Sequence, residues 1–232
     1  MLLQRLREQV LEANLELVRR GLVLYTFGNA SGIAREEGLV AIKPSGVDYD
    51  TLGAEHMVIT DLDGRVVEGD LRPSSDLATH LEIYKNFPNT GGVVHTHSEF
   101  ATAWAQARRP IPCLGTTHAD YFPGEVPVTP ALTATEIAAD YEKNTGIVIC
   151  RHLRDRDPDA VPAVLVASHG PFCWGATPAA AAHNAVVLES IARMAYYTMT
   201  LAETPAIPRE LHDKHFLRKH GRGAYYGQVK AK

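Results

Sequence analysis

Three long helices are predicted from the spacing of apolar residues and from the residues at their ends. Between residues 2 and about 20, leucine and valine recur mostly every three or four positions, which predicts an amphipathic helix that ends at Gly21. A second helix is predicted to begin after Asp76 and to stop before Pro88. The longest begins at Pro178, a residue that suits the first helical position, and runs to about Leu201.

Shorter elements fill much of the remaining chain. Two further helices are expected, one from Ser98 to about Ala107 and one from Glu136 to about Asn144 with Thr135 as its cap. The run 147–150 fits either a strand or a helix end, and residues 154–158 read as a charged, mobile loop. Short strand-like runs cover residues 22–26, 39–42, 57–60, 66–67, 93–94 and 164–167.

Strands and helices are mixed here without the regular alternation of a parallel sheet. This arrangement predicts an α/β fold with a mostly antiparallel central sheet, flanked by helices on both sides. The chain shows no internal repeat and no low-complexity linker, so residues 1–232 are predicted to form one domain. From Pro205 onward the tail holds seven basic and two acidic residues, a net charge of +5.

The composition narrows the classes of function. Apolar residues make up 45% and charged residues 22% of the 232 positions, as in soluble globular proteins. A net charge of −4 offers no general attraction for nucleic acid, and no apolar run approaches the length that crosses a membrane. The three cysteines form no Cys-x-x-Cys pair, which favours reduced thiols and a cytoplasmic location.

Histidines follow two of the predicted strands. Residues of the same parity share one face of a strand, so His95 and His97 are expected to point the same way and to suit a divalent metal. His169 ends another predicted strand, and the three imidazoles converge if the two strands are neighbours. Asp76 lies where a helix cap belongs, and its spacing fits a cap and a fourth ligand equally well.

Three turns carry small residues whose backbone N–H groups are open to a ligand. Together with Lys43, these turns predict a pocket for an anion, although each one alone is better explained as an ordinary turn. Beside a metal site they point to a phosphorylated small substrate. The turns are Gly28-Asn29, Ser45-Gly46 and Ser74-Ser75.

Two residues are candidates for proton transfer. Asp120 lies in a loop rich in threonine and glycine, where it is either a solvated side chain or an acid–base group tuned by burial. Tyr226 lies in the glycine-rich tail, where an aromatic residue either docks the segment or carries a proton.

Seven motifs occur in an order that resembles the class II aldolase and adducin family, and within it most closely the L-ribulose-5-phosphate 4-epimerases. The resemblance extends from the first helix to Gln228. The motifs are Gly28-Asn29, Lys-Pro-Ser-Gly at 43–46, Arg-Pro-Ser-Ser-Asp at 72–76, His-Thr-His at 95–97, Gly-Thr-Thr-His-Ala-Asp-Tyr at 115–121, Ser-His-Gly-Pro-Phe at 168–172, and Lys-His-Gly with Tyr-Tyr-Gly-Gln at 219–228.

The resemblance implies a role for each of these positions. It implies one Zn²⁺ per subunit, which Mn²⁺ or Co²⁺ could replace, a phosphate pocket, two proton carriers and supporting residues. It also implies a homotetramer whose active sites lie between subunits, with the tail from about 205 to 232 reaching a neighbour. The residues are Asp76, His95, His97 and His169 for the metal; Gly28, Asn29, Lys43, Ser45, Gly46, Ser74 and Ser75 for the substrate; Asp120 and Tyr226 for the protons; and Thr116, Glu142 and His215 in support.

The implied reaction interconverts L-ribulose 5-phosphate and D-xylulose 5-phosphate by cleaving the C3–C4 bond and rejoining it on the opposite face of the aldehyde. The alternative within the family is a sugar-phosphate aldolase such as L-fuculose-1-phosphate aldolase. Those enzymes tend to carry glutamate where this chain has Asp76. A non-catalytic module like the adducin head domain fits less well, because all the candidate ligands are present. Arabinose use and ascorbate breakdown remain equally compatible as pathways.

Overall fold

An antiparallel sheet organises the fold in the computed structural model, which describes residues 1–220 and 223–225. Its seven strands are β1 (Asn29–Ala34), β2 (Leu39–Ile42), β3 (Val58–Asp61), β4 (Val66–Glu68), β5 (Gly92–His95), β6 (Ala163–Leu165) and β7 (Pro171–Gly175). They lie in the order β4-β3-β2-β1-β5-β7-β6, and each neighbouring pair is antiparallel. The predicted mostly antiparallel α/β fold is therefore confirmed.

Helices cover both faces of this sheet. They are α1 (Gln4–Arg19), α2 (Leu77–Asn86), α3 (Glu99–Ala107), α4 (Thr116–Ala119), α5 (Ala134–Ala139), α6 (Tyr141–Leu153), α7 (Pro178–Leu201) and α8 (Arg209–Lys219). Alternation along β5 shows how the two faces are built. Val93 packs in the core under α2 and α6, whereas Val94 packs in the core formed with α3 and α7. In the described part of the chain, no helix has both the length and the apolar character needed to cross a membrane.

The ends of the longest helices follow the sequence signals. At the end of α1, Gly21 adopts a left-handed φ of 68°, and its N–H donates to the carbonyl of Val18. The N–H of Leu22 donates to the carbonyl of Leu17, which completes the usual glycine-terminated helix end. At the start of α7, the side chain of Thr177 accepts from the backbone N–H three residues later. Both predicted helices are confirmed.

The strand predicted at residues 22–26 is wrong, because the chain forms a turn there and begins β1 at Asn29. Tyr25 is exposed with a left-handed φ of 51°, which a strand does not permit. The sequence of β1 is rich in polar and small residues, so it does not have the pattern of a central strand. Ser31 of this strand is fully buried, and the hydrogen bonds that its hydroxyl makes with His80 and Tyr84 satisfy the buried polar group.

The helix predicted at residues 136–144 is also wrong in its bounds. Thr133, rather than Thr135, caps α5 and shares a capping box with Glu136. The chain breaks at Asp140, whose side chain accepts from the N–H of Lys143 and caps α6. Residues 147–150 lie inside α6, so their ambiguous pattern is helical.

The sheet and α7 approach closely at Gly92 of β5, and this contact predicts an effect on stability. An added Cβ on Gly92 would lie 2.5 Å from the backbone of Pro178. We expect Gly92→Ala to lower the free energy of unfolding by about 1–3 kcal/mol through overpacking. Gly124→Ala is the control, since nothing lies within 4 Å of its added Cβ. Equal urea unfolding midpoints for the two variants would contradict the prediction.

Candidate metal centre and substrate cleft

Three histidines converge at one end of the central strands. His95 is the last residue of β5, and His97 lies two residues further along the chain. His169 lies in the turn between β6 and β7. Each offers one nitrogen, and the three nitrogens lie within 4.8 Å of one another. The strand that pairs with β5 is β7 rather than β6, so His169 enters the site from the turn before β7. The predicted convergence is confirmed, although the strand that delivers His169 differs.

Hydrogen bonds orient two of these rings. The Nδ1 of His95 lies 2.9 Å from the carbonyl oxygen of Pro171, which can only accept, so this nitrogen carries the proton. The Nε2 of His95 therefore carries a lone pair that can bind a metal ion, and this nitrogen lies 3.0 Å from the Nε2 of His97. The Nδ1 of His169 lies 3.1 Å from the hydroxyl of Tyr141. This leaves the Nε2 of His169 for a ligand.

Burial keeps the metal-binding form of His95 and His169 available near neutral pH. It lowers the pKa of His95 below its ordinary value, against the opposing charge of Asp76. It also lowers the pKa of His169 to about 4, with the neighbouring His95 and His97 acting in the same direction. A neutral imidazole is the form that binds a metal ion. A set of three imidazoles is typical of the protein ligands of a catalytic zinc site.

Asp76 occupies the N-cap position of α2, but its side chain makes no capping hydrogen bond. Its Oδ2 instead accepts from the Nδ2 of Asn29 at 2.6 Å, on the side of the cleft. Burial raises the pKa of Asp76, but the nearby His95, His80 and Asn29 outweigh it, so the pKa lies below its ordinary value. The carboxylate is therefore charged beside the triad, and its role as a fourth ligand stays a prediction.

The triad lines a cleft of about 460 Å³. Most of the residues singled out from the sequence also line it, namely Gly28, Asn29, Lys43, Ser45, Gly46, Ser74, Ser75, Asp76, His95, His97, Glu142 and His169. Backbone contacts explain how the separate turns meet. Ser74 donates its N–H to the carbonyl of Lys43, and Ser45 donates to the carbonyl of Arg72, so the two turns form one wall.

A buried amide and a buried ammonium group lie beside this wall. The Oδ1 of Asn29 is buried without a partner among the described residues, while its Nδ2 donates to the hydroxyl of Ser74. Lys43 is buried, its Nζ donates to the carbonyl of Val47, and it lies 4.7 Å from the centre of the Tyr49 ring. Burial lowers the pKa of Lys43 to about 8, so its ammonium is still mostly charged at pH 7.

The remaining candidates lie elsewhere in this chain. Thr116, Asp120 and His215 do not line the cleft. Asp120 directly follows α4, and its carboxylate contacts two side chains of α8. Its Oδ2 lies 2.6 Å from Nη2 of Arg218, and its Oδ1 lies 3.1 Å from Nδ1 of His215. Burial raises the pKa of Asp120, but the hydrogen bonds from Arg218 and His215 bring it below its ordinary value. Tyr226 lies outside the described residues.

Sequence reasoning missed Tyr141, which lines the cleft and contacts His169. The position was hidden by the predicted continuous helix over 136–144. The signal that could have revealed it is the local sequence Asp140-Tyr141-Glu142, in which the aspartate caps a new helix and turns the next two side chains toward the cleft. Phe27 also lines the cleft without having been singled out.

Comparison with known proteins gives one family for this architecture. The family model described as the class II aldolase and adducin N-terminal domain matches residues 8–196. A solved L-fuculose 1-phosphate aldolase is 27% identical, with a TM-score of 0.77 and coverage of 92% of this chain and 95% of its own.

Two further solved structures are similar over most of their length. YgbL from Klebsiella pneumoniae, described as a putative aldolase/epimerase/decarboxylase, is 27% identical with a TM-score of 0.72, covering 91% of this chain and 97% of its own. An L-fuculose-1-phosphate aldolase from Thermus thermophilus is 26% identical with a TM-score of 0.67, covering 85% of this chain and 96% of its own.

The geometry of the triad predicts how the protein binds metal. We expect the purified chain to bind about one divalent ion, and His169→Ala to weaken binding strongly because one of three imidazole ligands is lost. His183→Ala is the control, since that imidazole contacts Tyr121 away from the triad. Isothermal titration of the chelator-treated protein with Zn²⁺ measures both affinities. Similar zinc affinities for both variants would exclude the triad as the site.

Proposed function

Because the chain belongs to the class II aldolase and adducin family, we propose that it is a metal-dependent enzyme that breaks and remakes a carbon–carbon bond in a sugar phosphate. The observation that carries this proposal is the cleft itself. It places three convergent imidazoles beside the turns at Asn29, Ser45 and Ser74, which together we call the anion wall. A metal-binding end and a phosphate-binding end in one cleft suit a short phosphorylated sugar.

The metal end is assigned to His95, His97 and His169, with Asp76 as the fourth ligand. Zn²⁺ suits these nitrogen and oxygen donors, and Mn²⁺ or Co²⁺ could replace it. A bound divalent ion supplies Lewis-acid stabilisation of negative charge that develops on substrate oxygens. The chain's own contribution is orientation, since the hydrogen bonds on His95 and Asp76 hold their side chains toward the cleft.

The phosphate end is assigned to the turns of the anion wall and to the charge of Lys43. The backbone N–H groups of Gly46 and Ser75 and the hydroxyls of Ser45 and Ser74 supply donors of the kind that a phosphate requires. The unpartnered Oδ1 of Asn29 provides an acceptor for a substrate hydroxyl. Anchoring the phosphate leaves the rest of the sugar free to rotate after its backbone is cleaved.

Within this class, the specific proposal is the 4-epimerisation of L-ribulose 5-phosphate to D-xylulose 5-phosphate. The hydrogen on C4 is not acidic, so inversion begins with cleavage of the C3–C4 bond. The C4 hydroxyl gives up its proton and becomes an aldehyde, while the bonding pair passes to C3 and forms an enediolate. Rotation of the aldehyde and attack on its other face then restore the bond with inverted C4. Asp76 supports this choice because its short side chain favours ligation over proton abstraction.

Two proton carriers are needed, one on each face of the aldehyde, and we assign them to Asp120 and Tyr226. Asp120 does not line the cleft of its own chain. We therefore propose that it serves the cleft of a neighbouring copy in a homotetramer, together with the tail that carries Tyr226. The contacts of Asp120 with α8 support this arrangement, because they join the loop and the start of the tail into one unit. Thr116 and His215 would accompany them, whereas Glu142 acts from the cleft itself.

A second candidate is cleavage of L-fuculose 1-phosphate without re-addition. The similarity to a solved L-fuculose 1-phosphate aldolase over 92% of the chain favours it. Both reactions break a C3–C4 bond beside a metal ion, so the three histidines do not distinguish them. The position of the phosphate does, because it is on C5 in the first substrate and on C1 in the second.

The two candidates are separated by a direct assay. We expect the zinc-loaded enzyme to convert L-ribulose 5-phosphate into D-xylulose 5-phosphate, and to leave L-fuculose 1-phosphate uncleaved, because the short side chain of Asp76 favours the first reaction. Product analysis by NMR measures both. Cleavage of L-fuculose 1-phosphate with no epimerisation would replace the first proposal by the second. Activity on neither substrate would overturn both.

Active sites shared between copies predict complementation between inactive variants. His97→Ala damages the cleft and Asp120→Asn damages the proton carrier, so each alone is expected to be inactive. After dissociation and reassembly of a mixture, roughly a quarter of the sites would combine an intact cleft with an intact Asp120. We expect a matching recovery of epimerisation.

The matched control for this experiment mixes His97→Ala with His169→Ala, since both changes lie in the cleft. That mixture is expected to stay inactive. Co-assembled His97→Ala and Asp120→Asn chains with no recovered activity would rule out a site built from two copies.

A further inference from the structure

The hydroxyl of Tyr141 connects helix α6 to the histidine triad. Tyr141 is the first residue of α6, and its hydroxyl lies 3.1 Å from the Nδ1 of His169. The two rings lie side by side, with centroids 6.0 Å apart and planes inclined by 28°. The roles assigned to residues in the proposed function do not include Tyr141.

The contact has a direct consequence for the nitrogen that faces the cleft. An imidazole that binds a metal through Nε2 carries its proton on Nδ1 and needs an acceptor there. In His95 that acceptor is the backbone carbonyl of Pro171. In His169 the atom at the corresponding position is the hydroxyl oxygen of Tyr141. This oxygen holds the ring with Nε2, rather than Nδ1, directed toward His95 and His97.

The backbone that carries Tyr141 is itself held in place. Asp140 caps the start of α6 through the N–H of Lys143, and Thr79 on α2 donates its hydroxyl to the carbonyl of Glu142. The two helices approach closely at Gly146, where an added Cβ would lie 2.6 Å from the Cβ of Glu82. These contacts fix the backbone position from which the Tyr141 side chain reaches His169.

We propose that Tyr141 is a positioning residue of the metal centre. Its hydroxyl oxygen orients His169 by accepting a hydrogen bond from the Nδ1–H of that ring. This inference rests on the proposed function in assuming that the triad holds a metal ion, and it adds a residue that determines how tightly the ion is held. Contacts of this kind typically contribute about 10-fold to 100-fold to metal affinity.

The test compares the zinc affinity of Tyr141→Phe with that of the wild type, using metal-free protein and a competing chromophoric chelator. Phenylalanine keeps the ring beside His169 and removes only the hydroxyl. We expect affinity to fall about tenfold. Tyr121→Phe is the matched control, because it removes an equivalent contact of 3.2 Å to His183, which is outside the triad. Its zinc affinity is expected to equal that of the wild type.

A second measurement separates positioning from a structural role. The urea unfolding midpoint of metal-free Tyr141→Phe should match that of the metal-free wild type, since only the oriented ligand is affected. Unchanged zinc affinity, or a weaker affinity accompanied by equally weakened metal-free stability, would overturn the inference. A wild type that binds no zinc at all would instead overturn the proposed function, so the two failures are distinguishable.

Discussion

The antiparallel register of β1, β5 and β7 is the constraint on which the candidate site depends. It places Asn29 opposite His95, and His95 opposite Phe172, in one row across three strands. Successive side chains on a strand point to opposite faces, so a slip of one residue would turn His95 into the α7 core and bring Val94 to the cleft. The position of His95 at the cleft therefore depends on the packing of the apolar residues that alternate with it along β5.

Local signals along the chain predicted the parts of this arrangement that local physics decides. The ends of α1 and α7 follow from Gly21 and Pro178, whose preferred backbone conformations act within a few residues. The histidine pair could be recognised because Val93 and Val94 mark a buried strand immediately before it. That the three imidazoles converge was predictable only on the assumption that two distant segments of the chain are neighbours in the sheet.

The missed strand lies where distant contacts decide the local structure. The central strand β1 was missed because its burial depends on partners far away in the sequence. Ser31 needs His80 and Tyr84 for its hydroxyl, and an added Cβ on Gly32 would lie 2.8 Å from Leu6 and Pro178. The equal choice between cap and ligand for Asp76 has the same origin. Its position in the sequence is that of a cap, but its side chain accepts a hydrogen bond from Asn29 on β1.

The histidines of the triad come from two distant parts of the chain, since His97 and His169 are separated by 169 − 97 = 72 positions. An ion shared between them would close a long loop and act as a reversible cross-link, which limits the freedom of the unfolded chain as well as organising the cleft. The concentration of the free ion would then affect the stability of the folded chain as well as the fraction of active molecules. The free energy of unfolding would therefore be higher for the metal-loaded chain than for the metal-free chain.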